Sequence, residues 1–375
     1  MSFQEFAMER WQSTWENRVG FNLSESGVHP LTATELLAMA GGATSPLDMR
    51  LGYPQSDGTE ALRAAVAALY PGAGLDQVLV TSGSAEANYV NCWRLVRPGD
   101  AVAIVQPTYM QTWGLAKNFG ANVSSIPLRE DLAWQPDFKD VDKAIVPGTR
   151  LVVVTNPNNP TGAVLTGEAM DRIAARADAV GAWLLADEVY QGAERAGGAP
   201  TPSFWGRAKR VIVVNGLSKA YGLPGLRIGW TVAPAAHIAE LWSRKDYTTI
   251  GPTVMSDALA TLALRADVRP RIWERTRGII RTNWELVERW LKAQNGEFTW
   301  RAPDAGAIVW TRYRRRVNSS AFAETLRTEH DVLIVPGDQF GMDGYIRLGF
   351  GSPARELEEP FERIALAFRA AGAAL

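Results

Sequence analysis

Short continuous apolar runs recur along the first two-thirds of the chain, and they restrict its fold more than any other feature. Gln77–Thr81 (QVLVT), Ala101–Val105 (AVAIV), Leu151–Thr155 (LVVVT), Ala182–Ala186 (AWLLA) and Val211–Val214 (VIVV) show no polar alternation. A strand with one wet face alternates, whereas a strand covered on both faces does not. Helical spacing fills the intervals, as in Thr59–Tyr70 with Thr59 as its N-cap and in Gly167–Ala179. The pattern predicts an α/β doubly wound fold on a mostly parallel sheet. In such sheets ligands bind beyond the carboxyl ends of the strands.

A chain of 375 residues exceeds one ordinary core, so two domains are expected. Residues 46–261 hold the apolar runs and form the large α/β domain. Residues 1–45 and 262–375 form a smaller α+β domain with an N-terminal arm. Its signals are a long charged helix at Pro270–Gln294, then separate strands at Ala307–Trp310, Val332–Val335 and Tyr345–Leu348. Net charge is -1, with 39 basic and 40 acidic residues, which gives no electrostatic footprint for nucleic acid or an anionic membrane. The basic run Arg312–Arg316 reads as a solvated edge. The single cysteine, Cys92, excludes internal disulfides and reads as core. His29, His237 and His330 are scattered without metal-ligand spacing, so no metal is expected. There is no GxGxxG and no Walker loop. The opening segment has no apolar signal core, and no eighteen apolar residues run together, so a soluble cytoplasmic protein is expected.

The distinctive polar segments fall at strand ends. In VIVVNGLSKAYGLPGLRIGW, Lys219 lies just past a buried strand. Most Ser-Lys dipeptides are surface positions, but a partly buried lysine amine also suits a Schiff base with an aldehyde cofactor. Arg227, eight residues on, suits bidentate binding of a phosphate. TSGSAEAN (Thr81–Asn88) follows a strand and opens a helix. It reads as an ordinary turn or as an anion cradle of backbone amides with the Ser84 hydroxyl. NPNNPTG (Asn156–Gly162) has two X-Pro steps that force extended or turn geometry on an asparagine-rich loop. In DEVY, Asp187 directly follows a buried strand. It is either a solvated turn residue or a carboxylate that needs a partner, such as a pyridinium N–H.

Together these segments resemble the class I/II aminotransferases, fold-type I enzymes that use pyridoxal 5′-phosphate (PLP). The resemblance implies that Lys219 carries the cofactor as an internal aldimine and shuttles the proton. Asp187 pairs with the pyridine nitrogen, and Asn159 and Tyr190 bond the ring hydroxyl. Gly83, Ser84 and Ala85, with Ser218 and Arg227, hold the phosphate. Tyr109 in QPTYMQTW stacks on the ring. Tyr53 in YPQSDGTEALR reaches the phosphate of a neighbouring subunit, which makes the protein a homodimer with shared sites. Arg347 in GYIRLGF clamps the substrate α-carboxylate, and Gly27 in SESGVHPL lets the N-terminal arm approach the substrate. Many family members have a hydroxyl residue three positions before the lysine. Here that position is Gly216, so one phosphate contact is missing or replaced.

The implied activity is transfer of the amino group of an L-amino acid to a keto acid through aldimine and ketimine chemistry. The same residues serve a second reading, a PLP-dependent lyase or cyclase acting at the β or γ carbon. SESGVHPLT, LSKAYGLPGLRIGW, RKDYTT and VLIVPGDQFGMDGYIRLGF are similar to the capreomycidine synthases, which cyclise a hydroxylated arginine. Glu25 in SESGV faces solvent in the plainer reading. In the alternative it receives a cationic substrate side chain through paired charge-assisted hydrogen bonds. A third class, a regulator on the same fold, usually carries an added DNA-binding domain, for which this chain leaves no residues.

Overall fold

The computed structural model describes residues 3–42 and 48–371. The expected domain boundary at 45/46 lies outside the described residues, as do the expected ends at 1 and 375. The strands are β1 Phe21–Asn22, β2 Val78–Ser82, β3 Ala101–Gln106, β4 Asn122–Arg129, β5 Gln135–Pro136, β6 Thr149–Thr155, β7 Trp183–Asp187, β8 Val211–Gly216, β9 Ile228–Val232, β10 Phe298–Trp300, β11 Ile308–Tyr313, β12 Val332–Leu333, β13 Val335–Pro336 and β14 Tyr345–Gly349. The helices are α1 Ala7–Trp15, α2 Ala33–Met39, α3 Glu60–Ala67, α4 Gly83–Leu95, α5 Gln111–Asn118, α6 Phe138–Ala144, α7 Gly167–Val180, α8 Ala235–Lys245, α9 Val254–Leu264, α10 Arg269–Ala293, α11 Ser319–His330 and α12 Glu358–Ala370.

The main sheet has eight strands in the order β2-β9-β8-β7-β6-β3-β4-β5. Neighbours from β8 through β4 pair in parallel, whereas β9 runs antiparallel to both β2 and β8. Alternate residues of one strand serve cores on opposite faces. Val102 and Ile104 of β3 pack with Ala87 and Leu95 of α4, while Ala103 and Val105 join the core on the other side. This two-sided burial is why the apolar runs do not alternate.

Local chemistry sets the helix ends. The Thr59 hydroxyl accepts from the Leu62 amide at the start of α3, and Thr166 accepts from Ala169 at the start of α7. Helix α7 stops at Gly181, which adopts a left-handed conformation at φ 70°.

Five strands escaped the sequence reading: β1, β5 and β10, which are only two or three residues long, and the longer β4 and β9. β4 is only half covered and contains Pro127 near the β5 edge, so it shows no apolar run. β9 is fully buried but follows the Gly- and Pro-rich turn after Lys219, which masks it. The Val332–Val335 stretch is two short strands, one pairing with β1 and the other with β14. The Arg312–Arg316 run is not simply a solvated edge. Its Tyr313 is buried, and Arg315 pairs with Glu297 at 2.8 Å.

A second sheet, β10-β11-β14-β13, is antiparallel throughout. Its β14 places Arg347 opposite Trp310 on one neighbour and Val335 on the other. Helix α1 lies against β13, where the Trp11 indole donates to the Ile334 carbonyl at 2.9 Å. The N-terminal segment is thereby carried past the carboxyl end of the main sheet.

Candidate active site

The carboxyl ends of β2, β3, β6, β7 and β8 converge on a cavity of about 420 Å³. Ser84 and Ala85 at the start of α4 line it, with Tyr109 after β3 and Asn159 after β6. Asp187 and Tyr190 follow at the end of β7, then Ser218, Lys219 and Arg227 beyond β8. Arg347 enters from the second sheet, and Glu25 and Ser26 from the segment after β1. A separate cavity of about 600 Å³ near Phe6 and Met342 holds none of these residues.

Glycines shape the start of α4. Gly83 adopts φ +76°, and a Cβ there would meet Arg227 Nη2 at 2.4 Å. A Cβ on Gly229 of β9 would lie 2.4 Å from the Ser84 nitrogen, and one on Gly216 would lie 3.1 Å from the Ile228 carbonyl. Gly216 therefore stands in a tight place where a side chain would press on the β9 backbone. These absences let Arg227 and the first amides of α4 approach one another. Amides in a first helical turn lack intrahelical acceptors and attract anions. Arg227 is exposed, has no carboxylate partner among the described residues and sits at φ 51°. A left-handed arginine facing an amide cluster is a strained arrangement of the kind found where a ligand is held.

Asp187 is buried and, among the described residues, has no direct cationic partner. Its carboxylate accepts from the Asn88 amide at 3.0 Å and the Val189 N–H at 3.3 Å. Burial pushes its pKa up to about 6, against the lowering influence of these bonds and of Lys219. Its neighbour Glu188 points away, with Oε1 accepting from Phe204 N–H at 2.7 Å and the Ser203 hydroxyl at 3.0 Å.

Lys219 Nζ donates to Glu25 Oε1 at 2.6 Å. Burial alone would lower the lysine pKa, but Glu25 and Tyr190 raise it. Burial would likewise raise the Glu25 pKa, yet the Lys219 ammonium and the Ser26 and Gly27 amides bring it down to about 2. Gly27 passes close to the lysine, and a Cβ there would lie 3.5 Å from Lys219 Cδ. The Tyr190 hydroxyl donates to Ser26 Oγ at 2.9 Å, and the Tyr109 hydroxyl donates to Glu9 Oε2 at 2.9 Å. Arg347 is 1% exposed and donates to Asn159 Oδ1 at 2.8 Å and to the Ser24 carbonyl. Its Nε has no hydrogen-bond partner.

Of the expected site residues, all but Gly27, Gly83 and Tyr53 line one cavity, and the two glycines lie directly behind its lining, beside Lys219 and Arg227. Tyr53 is 94% exposed and stands outside it. Cys92 is buried, and burial drives its thiol pKa up to about 12, far from a nucleophile. Among the described residues there is no cluster of metal-ligating side chains and no helix long and apolar enough to cross a membrane.

The sequence reading missed Asn88, Gln12, Glu9 and Glu16. Asn88 lies five residues after Gly83 and faces the sheet, a polar residue on a buried helical face. Glu9, Gln12 and Glu16 are spaced i, i+3, i+7, the spacing of a single helical face.

The architecture and the lysine-centred site are those of a fold-type I enzyme. Residues 38–364 match the family Aminotransferase class I and II, and the chain belongs to this family. Capreomycidine synthase of Streptomyces vinaceus is 35% identical, over 94% of this chain and 90% of that protein. Arginine–pyruvate transaminase of Pseudomonas aeruginosa is 32% identical, over 90% of this chain and 86% of that protein. The solved structure of a PLP-dependent aminotransferase from Streptococcus suis superposes with a TM-score of 0.91 at 32% identity, covering 100% of both chains.

The cofactor is PLP, and the residues present fit it. Gly83 and Gly229 let the Arg227 guanidinium and the first amides of α4 come together, the donor set that a phosphate needs. The buried Asp187 carboxylate lacks the cation that a protonated pyridine supplies.

Proposed function

We propose that this chain is an aminotransferase that moves the amino group of an L-amino acid to a keto acid. The carrying observation is the placement of Lys219 Nζ in one cavity with the buried, cationless Asp187 and the buried Arg347. PLP, when bound, supplies the electron sink that allows the substrate Cα–H bond to ionise.

The chain's own residues supply position and proton transfer. Lys219 Nζ holds the cofactor and takes or returns the α-proton. Asp187, oriented by Asn88, keeps the ring nitrogen protonated. Asn159 and Tyr190 would hydrogen-bond the ring oxygen, and Tyr109 would cover a ring face. The amides of Gly83, Ser84 and Ala85, with Ser218 and Arg227, would hold the phosphate. Arg347 clamps the substrate α-carboxylate, and its fork is already oriented by Asn159 and the Ser24 carbonyl. Gly27 keeps the N-terminal segment close to the reacting carbon.

Tyr53 completes the phosphate site of a second copy, so the working unit is a homodimer, placed in the cytoplasm. The division into a large domain at 46–261 and a small one at 1–45 and 262–375 belongs to the same reading.

A second reading is supported by Glu25. A carboxylate beside Lys219 that stays charged gives the site an acceptor for a cationic side chain, which suits elimination or cyclisation at the β or γ carbon of an arginine-like amino acid. The similarity to capreomycidine synthase supports it as well. The deciding experiment incubates the enzyme with an amino acid and a keto acid. Appearance of the new amino acid supports amino transfer. Loss of a β or γ substituent, or ring formation, without transfer supports the second reading.

A further inference from the structure

Three carboxylates on the N-terminal segment, Glu9, Glu16 and Glu25, line the cavity that holds Arg347 and Lys219. Two lie on one face of α1, flanking Gln12, which packs inward with its amide donating to the Ser24 carbonyl at 2.7 Å. Glu16 caps the carboxyl end of α1, a helix with no basic residue in its last turn. A carboxylate is disfavoured there because the helix dipole is negative at that end. Among the described residues, the Glu16 carboxylate has no hydrogen bond and no ion pair, its backbone N–H alone donating, to the Gln12 carbonyl at 2.8 Å. Burial raises its pKa, and the charges of Glu25 and Glu9 raise it further, opposed only by Lys219.

Glu25 is held by one oxygen. Its Oε1 accepts from Lys219 Nζ, from Ser26 N at 2.7 Å and from Gly27 N at 3.1 Å, which leaves Oε2 without a protein partner. Any bond from Lys219 Nζ to the cofactor draws on the same amine, and Glu25 then loses part of its countercharge. Arg347 sets the opposite requirement in the same cavity. Arg347 is 1% exposed, with Nε unpartnered. The cavity therefore offers a cation for an α-carboxylate and three carboxylates of which, among the described residues, only Glu25 has an ion pair, to Lys219, while Glu9 accepts from the Tyr109 hydroxyl and neither it nor Glu16 has a salt bridge.

We infer that the substrate is an amino acid whose side chain ends in a guanidinium, gripped between Glu16 and the free oxygen of Glu25, with Glu9 completing the acidic wall. A guanidinium has five N–H donors in a planar fork and can bridge two carboxylates, whereas an ammonium satisfies such a pair less completely. The inference rests on the reading of this cavity as the amino-acid site. It adds Glu16 and Glu9 as specificity-determining residues.

The test uses the PLP-loaded enzyme and reads the change in its visible absorbance on titration with arginine, lysine, citrulline and leucine. Citrulline has the shape of arginine without its charge. Half-saturation is expected at roughly tenfold or more lower concentration for arginine than for citrulline, with lysine between them. In Glu16→Gln the arginine-to-citrulline ratio should fall by about tenfold, with a smaller fall in Glu9→Gln. Equal responses to arginine and citrulline in the wild type, or an unchanged ratio in a folded Glu16→Gln, overturn the inference while leaving the amino-acid site intact. A response to leucine alone does the same. No spectral response to any amino acid overturns both the inference and the reading of the cavity.

Discussion

Lys219 Nζ and Glu25 Oε1 are joined by a hydrogen bond of 2.6 Å that ties the segment after β1 to the turn after β8. The pair holds the lysine as an ammonium, because Glu25 raises its pKa against the lowering effect of burial. An ammonium is not a nucleophile, so attack on an aldehyde requires the proton to leave. Glu25→Gln removes the countercharge and lets burial lower the lysine pKa. Uptake of PLP by the cofactor-free variant at neutral pH should then be faster than in the wild type, by roughly tenfold per unit of lowered pKa. Stopped-flow absorbance checks this, and equal or slower uptake contradicts it.

The cofactor should attach at Lys219 and at no other lysine. The amine lies in the cavity between the α4 cradle and Asp187. Borohydride reduction followed by peptide mapping should find the pyridoxyl group in the peptide LSKAYGLPGLR. A label on another lysine sinks the site assignment, and Lys219→Ala should bind PLP without a reducible bond.

Asp187→Asn should leave the protein folded and lower the catalytic rate by more than tenfold, equivalent to at least about 1.4 kcal/mol of barrier. The amide keeps the Asn88 contact in shape but cannot hold a pyridinium charge. The cofactor-free protein should respond in the opposite sense. Burial raises the Asp187 pKa to about 6, above that of an unfolded aspartate, so its stabilising effect is complete below about pH 4 and is lost as pH rises through about 6. At pH 7 the cofactor-free Asn variant should therefore melt higher than the cofactor-free wild type. A lower melting temperature, or a rate within tenfold of wild type, contradicts the role.

Much of this was legible because chemistry and topology coincide. Lys219, Asp187 and Asn159 each follow an apolar run, and a two-sided strand announces itself by lacking alternation. What stayed hidden depended on long-range placement. β9 borders β8 through a reversal that no local pattern encodes, yet its Gly229 is what lets the α4 amides approach. Asn88 reads as an ordinary helical residue until β7 brings Asp187 to within 3.0 Å. Glu9 and Glu16 carried a helical spacing, but nothing in the sequence told which face of α1 would meet the cavity. Their position follows from the docking of α1 on β13 through Met8 and Trp11.

The protein should be a dimer whose sites need both copies. Tyr53 is 94% exposed and Leu51 is 79% exposed. Large exposed side chains in sequence proximity to a proposed phosphate ligand suit a partner surface. Sedimentation should give twice the monomer mass. Tyr53→Phe should weaken retention of PLP through the lost hydroxyl contact while leaving the dimer intact. An active monomer by sedimentation at working concentration contradicts the shared site.

Glu188 offers a test of pH dependence that is independent of turnover. Its carboxyl is 1% exposed, with Oε1 taking two hydrogen bonds and Oε2 taking none. Burial raises its pKa to about 8, and the adjacent Asp187 adds to the rise, while the Phe204 and Ser203 bonds oppose it. The group is therefore neutral in the folded protein at pH 7 and charged in the unfolded chain. A raised folded-state pKa means that the stabilising effect is complete below the unfolded value near 4.3 and is lost as pH climbs to about 8. Above that, the protein carries an unpaired buried carboxylate. Glu188→Gln keeps an oxygen for Phe204 and Ser203 and never ionises. It should match the wild type most closely near pH 5 and exceed it in stability by on the order of 1–3 kcal/mol at pH 9. Urea unfolding of the cofactor-free proteins across pH 5–9 measures the difference, and a gap that stays constant or narrows as pH rises shows that Glu188 is not neutral in the fold.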